Sequence, residues 1–235
     1  NSYTPFTIRI MNSCDYHYIF SRGLDAVDSY DLDLVTQLQD HYTSEGQFVV
    51  LHSLGSHFKY SLRYPIEANY YTPSLATNDG YSKLTEEHKD LLINAYDNTI
   101  RYTDYVLGEL IEWADSLNQK AVVMYISDHG ESFWDDERKL SLHGSYELSN
   151  AEYHVPCFVW YSNEYEQAYP EKVAMMKQNR DVAQNSSIVF STLLDIADIT
   201  EAVDSTKSLC SPYTNSIDSF PVLNGAGEIK TYIIQ

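Results

Sequence analysis

The chain has 235 residues, and its 34 Asp and Glu outnumber 15 Lys and Arg, for a formal net charge of -19. That acidity excludes non-specific nucleic-acid binding, which needs clustered cations facing phosphates. A content of 43% hydrophobic and 21% charged residues excludes wholesale disorder, and no apolar run reaches the roughly 20 residues that span a bilayer.

No repeat, low-complexity tract or Pro/Gly-rich linker divides the sequence, which is expected to form a single domain over 1–235. Three cysteines are too few and too scattered for a disulfide scaffold or a thiolate zinc site. Cys157, inside an apolar run, is expected to be a buried small hydrophobe. Cys14 and Cys210 lie in polar sequence and are free to pair in an oxidising compartment.

In chain order, Tyr30 to Tyr42 has the pattern of a short amphipathic helix, and Gln47 to Ser53 is an apolar run of strand length. The Tyr- and Pro-rich stretch from Phe58 to Tyr81 is expected to be a long surface loop. Thr85 is placed as the N-cap of a long helix, with Glu86 and Glu87 in its first turn. Leu92, Ala95, Thr99, Tyr102, Val106, Leu110, Trp113 and Leu117 then recur every three or four residues, giving one apolar stripe. Ala121 to Ser127 and Val155 to Tyr161 read as buried strands, and Ser187 to Ala197 as a closing helix. Apolar strands separated by helices predict an α/β fold with a parallel sheet covered on both faces.

Ligands of such sheets bind beyond the carboxyl ends of the strands. The first predicted strand runs into His52 and His57, the second into Asp128, His129 and Glu131, and His143 lies in the loop before the third. An isolated Asp-His pair is more often a cap or a surface hydrogen bond than a ligand pair. The histidines and Asp128 together at strand ends, with Gly130 allowing the backbone to turn, argue instead for one metal ion. A carboxylate with imidazole nitrogens favours zinc or a similar transition ion over magnesium or calcium. His17, His41, His88 and His154 read as solvated or structural, and the 21 tyrosines as half-buried packing.

Four blocks carry a resemblance to a known family: Val49 to Pro65 (VVLHSLGSHFKYSLRYP), Tyr96 to Ile111 (YDNTIRYTDYVLGELI), Tyr125 to Ser132 (YISDHGES) with Ser141 to Gly144 (SLHG), and Glu152 to Ser162 (EYHVPCFVWYS). The chain resembles the C-terminal part of a bacterial phosphoethanolamine transferase of the lipid A type, in the alkaline phosphatase/sulfatase superfamily. The Asp-His-Gly element is shared across that superfamily; the Gly-Ser-His block joined to the YDNT helix is specific to the phosphoethanolamine branch.

The resemblance implies a parallel-sheet sandwich, incomplete on its N-terminal side. The family's nucleophilic threonine, first acidic zinc ligand and membrane helices lie upstream of anything matched here. It implies zinc bound by Asp128 and His129, with His57 and His143 holding the transferred phosphate or a second zinc. His52 and Glu131 fall beside the substrate. The implied reaction takes phosphoethanolamine from phosphatidylethanolamine, through a phospho-threonine, to lipid A or the lipopolysaccharide core. The implied setting is the bacterial inner membrane, with the catalytic domain facing the periplasm. Three other readings stay open on the same residues. They are a sulfatase or phosphodiesterase-type hydrolase, a phosphoglycerol transferase, and a non-catalytic envelope domain that binds a phosphorylated ligand. No Cys/Ser-x-Pro-x-Arg setting for a formylglycine is present.

Overall fold

The computed structural model describes residues 5–19, 29–212 and 218–234. It divides into two compact units, Asn1–Glu112 and Trp113–Gln235. The first holds α1 (Pro5–Ser13), α2 (Leu32–His41) and nearly all of α3 (Lys89–Ser116). The predicted stripe on α3 faces the core: Leu92, Ala95, Thr99, Tyr102, Val106 and Leu110 are buried. The helix is entered through a 3-10 turn at Glu86–His88, with Thr85 in extended conformation at its cap position. The Thr85 hydroxyl meets His88 Nδ1 at 2.7 Å rather than a backbone amide.

Two expectations for this unit fail. The Gln47 to Ser53 run forms no strand, and Phe48 and Val50 are exposed. An apolar run of strand length becomes a strand only where a neighbour accepts its backbone hydrogen bonds, and none does among the described residues. The Phe58 to Tyr81 stretch is not simply a surface loop. Phe58, Tyr60, Leu62, Arg63, Tyr64 and Leu75 are buried, and the stretch contains 3-10 turns at Tyr60–Leu62 and Ile66–Ala68.

A loop can sink into a core only if its backbone polar groups find partners there. The fully buried Asn98 of α3 supplies them. Its Oδ1 accepts the amides of Tyr70 and Tyr71 at 2.9 and 2.7 Å, and its Nδ2 donates to Asn69 Oδ1 and the Tyr71 carbonyl. Ring contacts fill the space beside it, with Tyr60 edge-on to both Phe58 and Tyr96.

The second unit contains β1 (Val122–Ile126), β2 (Ser132–Phe133), β3 (Ser141–Leu142), α4 (Asn150–Tyr153) and β4 (Cys157–Tyr161). Helices α5 (Asn163–Ala168), α6 (Pro170–Gln178) and α7 (Ile188–Ile196) follow, then a hairpin of β5 (Ser219–Leu223) and β6 (Ile229–Ile233). The predicted strands and closing helix form, but β1 and β4 pair antiparallel, Val122 opposite Tyr161 and Ile126 opposite Cys157. Parallel pairing would need a crossover of helical length to carry the chain back along the strand. The segment from Ser127 to Pro156 offers only the short β2–β3 hairpin and the four-residue α4.

Tyr165, Val173, Met176 and Cys210 form a core under Val122, Val159 and Tyr161. Cys157 is exposed rather than buried, because the Cys157 end of β4 lies outside this core. Cys14 and Cys210 are both free thiols, the first exposed and the second buried.

Replacing Asn98 with Ala strands the Tyr70 and Tyr71 amides, and is expected to cost about 1–3 kcal/mol in urea unfolding. Unchanged stability would show that this loop is held by its aromatic contacts alone.

Candidate metal centre

The second unit assembles its site from a strand end and a hairpin. Immediately after β1, Ser127 Oγ donates to the His129 carbonyl at 2.8 Å and the Gly130 amide donates to the Glu152 carbonyl at 2.9 Å. A Cβ on Gly130 would lie 2.0 Å from the Ala151 carbonyl oxygen. Glycine is required here for close backbone approach, not for the turn expected from the sequence. Beyond it, β2 pairs with β3 so that Ser132 faces Leu142. One step outward, this register sets Glu131 opposite His143. The chain swings at that point through Leu142 and Gly144, both at positive φ.

Three side chains converge as a result. His129, Glu131 and His143 each offer a ligand atom, and these atoms all lie within 4.8 Å of one another. The two imidazole rings are 3.7 Å apart between centroids. His143 Nδ1 donates to Glu131 Oε1 at 3.0 Å, and His129 Nδ1 meets the Gly130 carbonyl at 2.9 Å. A carbonyl only accepts, so His129 carries its proton on Nδ1 and leaves the Nε2 lone pair for a ligand; His143 has the same polarity.

Glu131 is the decisive member. Its side chain is 3% exposed, and Oε2 is buried with no hydrogen-bond partner. An orphaned carboxylate oxygen in a protein interior is costly. A cation beside two imidazole nitrogens would satisfy it. The donor set therefore fits a transition-metal ion such as zinc.

Asp128 lies outside this trio. Its side chain is 88% exposed, with Oδ2 3.8 Å from His129 Nε2 and Oδ1 accepting the His129 amide. Hydrogen bonding to Glu131, opposed by burial and reinforced by the charges of Glu131, Glu152 and Asp128, holds the His143 pKa above its ordinary 6.5.

His52 and His57 belong to the first unit, where they flank a turn wrapped on a buried carboxylate. Asp31 accepts the amides of Leu54 and Gly55 at 2.9 and 2.7 Å, and Gly55 has φ +51°. Burial raises the Asp31 pKa despite these bonds and the nearby positive charge of Arg63. The buried Arg63 donates from Nε to the His57 carbonyl at 3.0 Å, and Thr99 Oγ1, which donates to the Tyr96 carbonyl, accepts from Ser56 Oγ at 2.6 Å. His57 Nδ1 contacts the Phe58 carbonyl, which leaves Nε2 as its lone-pair atom. His52 is exposed. The residues that shape both loops, Asp31, Arg63 and Glu152, stand in no metal or catalytic spacing, and only their burial reveals them.

A family model described as Sulfatase matches residues 9–199. Among curated proteins, "Phosphoethanolamine transferase EptA" of Salmonella typhimurium is 34% identical over 166 residues. The matched region takes in 68% of this chain and only 29% of that relative's length. Among solved structures, the C-terminal periplasmic domain of phosphoethanolamine transferase EptC from Campylobacter jejuni is 30% identical. It superposes with a TM-score of 0.67, covering 82% of this chain and 61% of that one. The C-terminal periplasmic domain of EcEptC from Escherichia coli, in complex with Zn, gives a TM-score of 0.75 over 92% of this chain and 60% of that one. At 22% identity, that second likeness bears on the fold alone.

Two outcomes are expected. Gly130→Ala should destabilise the chain by about 1–3 kcal/mol, since backbone must move to admit the methyl group; urea unfolding measures it, and a neutral effect would contradict the close approach. In chelator-treated protein, an NMR titration should find the His143 midpoint above 6.5. The stability this pair contributes is then complete below 6.5 and fades as pH rises through the raised value. A midpoint at or below 6.5 would show that Glu131 does not hold the imidazolium.

Proposed function

The chain belongs to the sulfatase family and shares its α/β fold, and on that premise we propose that it is part of the periplasmic catalytic domain of a metal-dependent phosphoethanolamine transferase. The donor in this reading is phosphatidylethanolamine, and the acceptor is lipid A or another envelope glycolipid. The nucleophile is a threonine outside this chain. Membrane attachment in this reading also belongs to the longer protein; no helix among the described residues is long and apolar enough to cross a bilayer. The observation that carries the metal dependence is the unsatisfied buried oxygen of Glu131 against two imidazoles. The similarity to curated phosphoethanolamine transferases favours transfer over hydrolysis.

The ion proposed is zinc, held by His129, Glu131 and His143, with Asp128 beside His129 as the further carboxylate. Bound there, it would supply a lowered hydroxyl pKa for nucleophilic attack and offset charge on the phosphoryl oxygens. The protein's own residues prepare that site. The Gly130 carbonyl fixes the His129 tautomer, and Glu131 orients His143 through Nδ1. The opposite nitrogen of His143 is thereby left to bind the ion or donate a proton toward a leaving oxygen. His57 and His52 are assigned to the phosphoryl group, with Asp31 and Arg63 setting the shape of their loop.

The test is a transfer assay with the longer protein, phosphatidylethanolamine and lipid A, read by mass spectrometry of the lipid, together with metal content of the purified protein. Phosphoethanolamine on lipid A, with zinc bound and both lost in His129→Ala, is expected. Phosphoethanolamine released to water would mean a hydrolase. Zinc binding without either reaction would leave a non-catalytic phosphate-binding domain as the correct reading.

A further inference from the structure

Glu152 is a carboxylate only 4% exposed, outside the metal-binding trio, and both of its oxygens are engaged. Oε1 accepts from Ser132 Oγ at 3.0 Å, and Oε2 accepts from the Gly144 amide at 3.0 Å. Ser132 directly follows Glu131, and Gly144 directly follows His143. Its main chain reaches the third member, because the Glu152 carbonyl accepts the Gly130 amide next to His129. One residue of α4 thus touches the immediate neighbour of all three candidate ligands. A carboxylate is rigid, so two hydrogen bonds to its two oxygens fix the spacing of the groups that donate them. An apolar side chain would fill this position without fixing anything.

We propose that Glu152 is a positioning residue for the metal centre, which spaces Glu131 and His143 by binding the residue after each. The proposal rests on the metal reading above and adds a residue to it. Glu152 binds no ion itself; it acts through Ser132 and Gly144. The His143 loop has a second, independent support in the C-terminal hairpin, where the Gly225 amide donates to the Ser145 carbonyl and Asn224 Nδ2 to the Tyr146 carbonyl. Loss of Glu152 should therefore loosen the site without releasing the loop altogether.

Cobalt(II), titrated into the 235-residue chain, is the probe, with its visible absorption reporting coordination geometry. In Glu152→Ala, affinity should fall by about 10- to 100-fold, as for other residues that orient metal ligands, with a changed spectrum. Glu152→Gln can still accept from Gly144 and donate to Ser132, and should stay within about threefold of the native chain. Equal affinities in Glu152→Ala and the native chain would overturn the proposal. So would equal losses in Ala and Gln, which would assign Glu152 a charge effect instead. Should Glu152→Ala fail to fold, Ser132→Ala removes one arm alone, and an unchanged spectrum there would also overturn it. A native chain that takes up no cobalt refutes the metal reading, and hydrogen exchange of the Gly144 amide then decides. Exchange about tenfold faster in Ala but not in Gln supports the positioning role, and unchanged exchange overturns it.

Discussion

The burial of Glu131 beside His143 is the constraint around which the second unit is arranged. A carboxylate removed from water needs a partner for every oxygen, and this one has a partner for Oε1 alone. The register of β2 and β3 holds it in that position, one step beyond the Ser132–Leu142 pair. The same register delivers His143 across from it, and the end of β1 delivers His129 through a backbone approach that only glycine permits. Sheet pairing and site geometry are therefore one arrangement. A slip of one residue in the hairpin would turn every side chain to the opposite face and disperse the trio.

Both units use buried polar side chains to shape irregular backbone. In the first, Asn98 satisfies the amides of Tyr70 and Tyr71, and Asp31 does the same for Leu54 and Gly55. In the second, Glu152 serves Gly144 and, through its carbonyl, Gly130. Loops that carry functional side chains cannot rely on helix or sheet ladders for their hydrogen bonds. Each such loop is closed on a side chain from a neighbouring turn or helix, which fixes its conformation. The cost is a buried carboxylate or amide, tolerable because nearly all its hydrogen-bonding capacity is used.

The parts of the molecule that were legible in the sequence are those governed by local periodicity and local chemistry. The α3 stripe from Leu92 to Leu110 is buried as its spacing requires, and β1, β4 and α7 form within a residue or two of their predicted limits. The sequence offered Asp128 and His129 as a zinc pair, His143 for the phosphate or a second zinc and Glu131 only as a neighbour of the substrate; the trio of His129, Glu131 and His143 was not legible in it. The failures share one cause. Gln47 to Ser53 had the composition of a strand but lacks a neighbour to pair with among the described residues, and Cys157 had an apolar setting but sits at the open end of β4. Whether an apolar residue is buried depends on what covers it, which no local pattern records.

The sequence by itself determined where the long helix and two strands lie and the membership of the chain in its family. These follow from residue chemistry and from contacts between near neighbours. Only the tertiary structure decided that β1 and β4 run antiparallel and that a Tyr-rich loop enters the core around Asn98. It also decided that Glu131, rather than Asp128, is the carboxylate buried beside His143. Those outcomes depend on hydrogen bonds between residues far apart in the chain, whose partners are settled only when the surrounding backbone is in place.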